Sequence, residues 1–98
     1  MKTISAILRA KPGAEATLRA ALLDVAAHVA ENEPDTIGFF VSQDAGDSTR
    51  FTTYERFADQ AAMDRHNGSA AVARFFAVAQ PILDGEVILV TADEISAR

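Results

Sequence analysis

The sequence predicts an α+β domain of β-α-β-β-α-β order, the split β-α-β arrangement of ferredoxin-like folds. Three observations carry this expectation. The chain has 98 residues, enough for one core and too few for two domains. Its apolar residues alternate in short runs and recur at helical spacing in longer ones. Breaks that bear Pro or Gly, apart from Ala58-Asp59, separate these runs in the order the fold requires.

Thr3 to Ala10 sets Ile4, Ala6 and Leu8 on one side and Thr3, Ser5, Ile7 and Arg9 on the other, which reads as a strand ended by Lys11-Pro12-Gly13. From Ala14 to Glu33, Leu18, Leu22, Val25 and Val29 form one helical stripe with Ala-rich flanks, closed by Pro34. Thr36 to Gln43 and Arg50 to Phe57 are rich in β-formers and flank Asp44-Ala45-Gly46-Asp47, so they read as a hairpin. Asp59 is a suitable cap for a short helix over Gln60 to Asn67, with Gly68 ending it in a left-handed conformation. Ser69 caps the next helix, Ala70 to Leu83, whose Val72, Phe75, Phe76, Ala79, Ile82 and Leu83 share a face. After Asp84-Gly85, the run Val87-Ile88-Leu89-Val90-Thr91 within Glu86 to Ala92 predicts a strand buried on both sides.

Composition bounds the partners. Hydrophobic residues make up 49% and mean hydropathy is +0.07, which argues against disorder, and no apolar run approaches a membrane span. The formal net charge of −5 and pI near 4.8 disfavour nucleic acid, which needs a basic surface. Arg9 and Lys11 interrupt the N-terminal apolar run too soon for a signal peptide, and there is no Cys, so a cytoplasmic setting without membrane attachment is expected. A metal site is not expected either, because His28 and His66 are the only imidazoles and no carboxylates cluster around them at ligand spacing.

The strands carry apolar residues of both parities. Ile7 opposes Leu8, Phe40 opposes Phe39, Ile88 and Val90 oppose Val87 and Leu89, and Tyr54 opposes Phe51 and Phe57. Helices on one face cannot cover the other, and each exposed apolar side chain forfeits about 1.5 to 3 kcal/mol. A homodimer through the sheet faces is the simplest closed answer.

The segment Asp47-Ser48-Thr49-Arg50-Phe51, continuing through Tyr54-Glu55 to the Ala-rich helix that ends in Arg65-His66, resembles the central motif of antibiotic biosynthesis monooxygenase (ABM) domains, and is closest in character to the quinol monooxygenases. Glu33-Pro34-Asp35-Thr36-Ile37 resembles the family's entry to the second strand, and the likeness covers Lys2 to Asp93. It implies a dimeric α+β barrel with an apolar pocket between sheet and helices, and a cofactor-independent oxidation of a phenol- or quinol-like molecule by dioxygen. Phe57 stands where the family often has Trp, and Asp35 where it has Gly. Ser69 to Arg74 lacks the His that serves as the iron ligand in the haem-degrading branch, which disfavours that chemistry. A non-catalytic dimeric binding or stress-response module, or an isomerase in the same pocket, would keep the same fold.

Oxygenating a phenol without a cofactor needs a base, a dry pocket and a donor for the oxygenated intermediate. His66 is the expected base, since imidazole alone exchanges protons near neutrality without a large shift. A His at the frayed end of a surface helix would account for the same position. Tyr54 is the expected oxygen-binding donor, and Glu55, Asn67, Phe40 and Phe76 the substrate-binding residues. Tyr54 and Glu55 point to opposite faces of one strand, so at most one of them faces a given pocket. A buried Glu55 needs a partner, with Arg50, Arg56, Arg65 and Arg74 all within conceivable reach. His28 is expected to face solvent.

Overall fold

The computed structural model describes residues 1–98. The elements run β1 (Lys2–Arg9), α1 (Glu15–Asn32), β2 (Thr36–Gln43), β3 (Arg50–Phe57), α2 (Gln60–Asn67), α3 (Ala70–Ala79) and β4 (Ile88–Asp93). The four strands form one antiparallel sheet of order β2-β3-β1-β4, so the expected ferredoxin-like topology is present, with its second helical segment split in two. Split helices follow from Gly68-Ser69, where Asp59 and Ser69 each cap a separate helix by accepting from the N–H three residues on.

Alternation sorts the sheet into two faces. Ile4, Ala6 and Leu8 of β1 pair across to Glu55, Thr53 and Phe51 of β3, and all six are buried beneath the helices. Leu18, Ala21, Leu22, Val25 and Val29 are the buried stripe of α1, and with Phe75 and Ala79 of α3 they complete the main core. A smaller cluster, Ile4, Phe57, Ala62 and Met63, seats α2 at the other end. Ile7, Phe40, Tyr54, Ile88 and Val90 lie on the opposite, helix-free face, where each is at least 39% exposed.

Several expectations are corrected. β4 is not buried on both sides: it pairs only with β1, and all six of its residues are exposed. Its apolar run belongs to an edge strand whose outer face has no cover within the chain. The last helix stops at Ala79 rather than Leu83, because Pro81 cannot donate to the helical ladder and the chain tightens into a 3-10 turn over Gln80–Ile82. Gly68 has φ −89°, so it is not left-handed, whereas Gly85, at φ +85°, does use the region open to glycine. No helix is long and apolar enough to cross a membrane.

Candidate functional site

Three local features converge at the α2 end of the sheet. Glu33 follows α1, and its carbonyl accepts from the Thr36 N–H at 3.1 Å, closing a turn with Pro34 in the position that proline favours. The Thr36 hydroxyl then donates to Glu33 Oε1 at 2.8 Å, aiming that carboxylate beneath α2. Glu55 has the inward parity of β3, between Ile4 and Phe39 in the register, and the Thr53 hydroxyl two residues back donates to its Oε2 at 2.8 Å. His66 lies three and four residues beyond Met63 and Ala62, so the helical period puts all three on the buried face of α2.

The imidazole of His66 thus sits between two carboxylates. Nδ1 is 2.8 Å from Glu33 Oε1 and Nε2 is 3.2 Å from Glu55 Oε1, and the rings of Phe39 and Phe57 pack against it with centroids at 5.6 and 5.3 Å. Burial of the ring works against its charging, but the hydrogen bonds to Glu55 and Glu33 and their charges outweigh it, and the His66 pKa is raised above 6.5. In its charged form both ring N–H groups donate, one to each carboxylate. Behind Glu33, His28 Nε2 is 3.1 Å from Oε2, at ion-pair distance but out of line for a hydrogen bond, which leaves that buried oxygen without a directed partner. His28 is half-buried and still reaches solvent, lining with Glu33, Asp35 and Arg65 a polar surface depression behind the site.

In front of His66 a cavity of about 80 Å³ opens between the sheet and the helices. Its walls are mainly apolar, from Ile4, Ala6 and Leu8 below to Val72, Phe75 and Phe76 above, with Leu89 of the edge strand at one side. Its polar groups are Thr53, Glu55, His66 and Asn67. A larger groove of about 500 Å³ between α1 and α3 lies apart from these groups, with Asp24 and Arg74 as its charged residues.

The structure brings His66, Glu55, Asn67 and Phe76, of the residues singled out from the sequence, to one cavity. It separates Tyr54 and Phe40 from them: both point to the opposite face of the sheet, where they stack on each other and the Tyr54 hydroxyl lies 3.4 Å from Glu94. Strand parity is the reason, since an inward Glu55 forces Tyr54 outward and Phe40, its partner in the register, goes with it. None of the arginines pairs with Glu55. Arg50 binds Asp44, Arg56 binds Glu94 and Arg65 binds Asp35, leaving His66 as the ionic partner that ties strand to helix. Sequence reasoning missed Glu33 as a site residue, although the Glu-Pro-Asp-Thr turn that aims it was visible.

Fold and site define a class: a ferredoxin-like α+β domain whose helices roof an apolar cavity ending in a carboxylate–imidazole–carboxylate cluster. Residues 1–78 match the profile of the antibiotic biosynthesis monooxygenase family, and the chain belongs to that family. A candidate antibiotic biosynthesis monooxygenase of Caulobacter crescentus has the same fold at 22% identity and TM-score 0.90, over 97% of this chain and 90% of that one. A Pseudomonas aeruginosa protein is similar at 25% identity and TM-score 0.86, over 97% and 94% of the two chains. A Mycobacterium tuberculosis protein is similar at 20% identity and TM-score 0.89, over 98% and 96%. No curated protein matches the sequence.

Proposed function

We propose that this protein is a cofactor-independent monooxygenase that oxidises a phenol- or quinol-like aromatic molecule with dioxygen. The observation that carries the reading is the Glu55–His66 pair at the end of an apolar, phenylalanine-lined cavity. The substrate hydroxyl gives its proton to the Glu55 carboxylate, which His66 holds in place rather than acting as the base itself, and the low-dielectric walls raise the reactivity of the phenolate left behind. The phenolate supplies electrons to dioxygen, and a C–O bond forms at the activated ring carbon to give a hydroperoxide. The proton held by Glu55 passes to the peroxide oxygen to complete that hydroperoxide; the O–O bond then breaks as Glu55 takes the proton of the same carbon, which becomes a carbonyl, and hands it to the departing hydroxide as water. The substrate is oxidised by two electron pairs and dioxygen is reduced to one carbonyl oxygen and one water. In this account the donor role expected of Tyr54 passes to Asn67, whose amide is at the cavity wall.

The test is dioxygen uptake by metal-free protein with anthrone, whose conversion to the quinone takes up one dioxygen and releases one water. Consumption that leads to the quinone, and that falls at least about 100-fold in Glu55→Gln and His66→Gln, is the expected result. Uptake no faster than buffer, or undiminished in both variants, refutes it. One feature favours a binding module instead: both nitrogens of His66 are already taken by carboxylates. Tight ligand binding without turnover would select that reading, and turnover under anaerobic conditions would select an isomerase. We also infer that two copies pair through their helix-free sheet faces, on the strength of the exposed Ile7, Phe40, Tyr54, Ile88 and Val90.

A further inference from the structure

The cavity at Glu55 and His66 measures about 80 Å³ as its side chains stand. An apolar cavity that takes up benzene has about 150 Å³, so an aromatic ring enters here only where part of the wall gives way. Most of the wall cannot. Ile4, Ala6, Leu8, Leu22 and Val25 are each at most 6% exposed and belong to the packed core, where displacing one side chain opens a void beside another. Thr53 and Glu55 sit on β3, which is paired on both edges, and His66 is held at both ring nitrogens.

The remaining side is different. α3 packs on α1, and β4 pairs only with β1, so the cavity reaches the surface between α3 and β4. Of the lining residues only Asn67, Phe76 and Leu89 are exposed, and Phe76 is the bulkiest of the three. Its neighbour Phe75 is buried and anchors α3 in the core, whereas Phe76 stands at the mouth, 44% exposed. The two rings meet edge to face with centroids 5.1 Å apart. Turning the Phe76 ring outward gives up that contact and breaks no hydrogen bond. A helical aromatic residue has two open χ1 wells, about 180° and about −60°, so one rotamer step moves the ring without moving the helix. The phenyl group is itself the size of benzene, and the space it leaves is what a ligand ring lacks.

We propose that Phe76 is the gate of this cavity and the residue that limits ligand size: an aromatic ligand enters between α3 and β4 and takes the space that the Phe76 ring vacates on turning to solvent. The proposal rests on the reading that this cavity takes an aromatic substrate, and it makes Phe76 a side chain the ligand displaces rather than a wall the ligand lies against. The two roles differ in sign. Isothermal titration with thymol, a one-ring probe too large for the cavity as it stands, should show Phe76→Ala binding at least about fivefold tighter than wild type, because no ring has to be displaced first. A wall residue would give weaker binding. Val78→Ala, on the same helix but facing the α1–α3 groove, should stay within about twofold of wild type. Phe76 lies outside the buried core clusters, so Phe76→Ala should keep the wild-type circular dichroism spectrum. The chain has no Trp, so Phe76→Trp places a single indole at the gate, and its emission should move to the red as thymol saturates the protein. Equal or weaker binding by Phe76→Ala overturns the gate, as does an emission that fails to move to the red, or no thymol binding by wild type and Phe76→Ala alike. Dioxygen uptake with anthrone on the same preparations keeps the two ideas apart. Tighter binding and a red shift without uptake leave the gate standing and remove the monooxygenase, whereas uptake with neither removes the gate alone.

Discussion

A buried imidazole held by two carboxylates makes His66 an electrostatic fastener as well as a chemical group. Its raised pKa fixes the sign of its pH dependence. A histidine that titrates higher in the folded than in the unfolded chain stabilises fully below the unfolded value of about 6.5, and that stabilisation is lost as pH rises through the folded value. His66→Gln should therefore cost about 3 kcal/mol at pH 6, where it leaves the buried Glu55 and the half-buried Glu33 without the cation between them. The cost should shrink toward pH 9. Urea unfolding of both proteins at the two pH values measures it, and a gap that does not change with pH would show that the imidazolium is not what binds α2 to β3. At this scale the sequence revealed much of the site. An imidazole at the buried spacing of a short helix was legible, and parity showed that Tyr54 and Glu55 could not share a cavity, though not which of the two faces inward. Glu33 was not legible as a partner of His66, because 33 residues separate them and only the folded turn at Pro34 brings them within 2.8 Å.

The two short helices depend on their caps. α2 has only eight residues, below the length at which a helix holds itself together in water, so its start is fixed by the bond from the Ala62 N–H to Asp59 at 2.8 Å. Asp59→Ala should destabilise the protein by about 1 kcal/mol, a fall of roughly 4 to 8 °C in Tm. A melt followed by circular dichroism checks it; an unchanged midpoint would mean that the packing of Ala62, Met63 and His66 fixes the helix start unaided. These caps were readable because capping is a local interaction between residues three apart. β4 was misread for the complementary reason. Five successive apolar or β-branched residues describe a strand covered on both faces, but covering is a property of the surroundings, and a run of residues cannot say whether its cover comes from the same chain. Edge position, set by pairing with β1 alone, is what leaves β4 exposed.

For the whole molecule the unresolved energy lies on the helix-free face. Ile7, Phe40, Tyr54, Ile88 and Val90 form an apolar surface, while the ion pairs Lys2–Asp93, Arg9–Asp47 and Arg56–Glu94 lie toward its margins. An apolar centre with a charged rim is the anatomy of a protein interface, and a two-fold axis would let the patch bury itself. The expected particle in solution has twice the 10.5 kDa chain mass. Phe40→Glu should reduce it to one chain while retaining the far-ultraviolet spectrum, because Phe40 is 58% exposed and contributes nothing to the helix-side core. Each copy has a formal charge of −5, so raising the salt should tighten association by screening the mutual repulsion that the apolar patch has to overcome. Sedimentation equilibrium across a salt series measures both effects. A wild-type mass of one chain at micromolar concentration would rule out the dimer. Dissociation promoted by salt would show instead that ion pairs across the rim, rather than the apolar centre, hold two copies together.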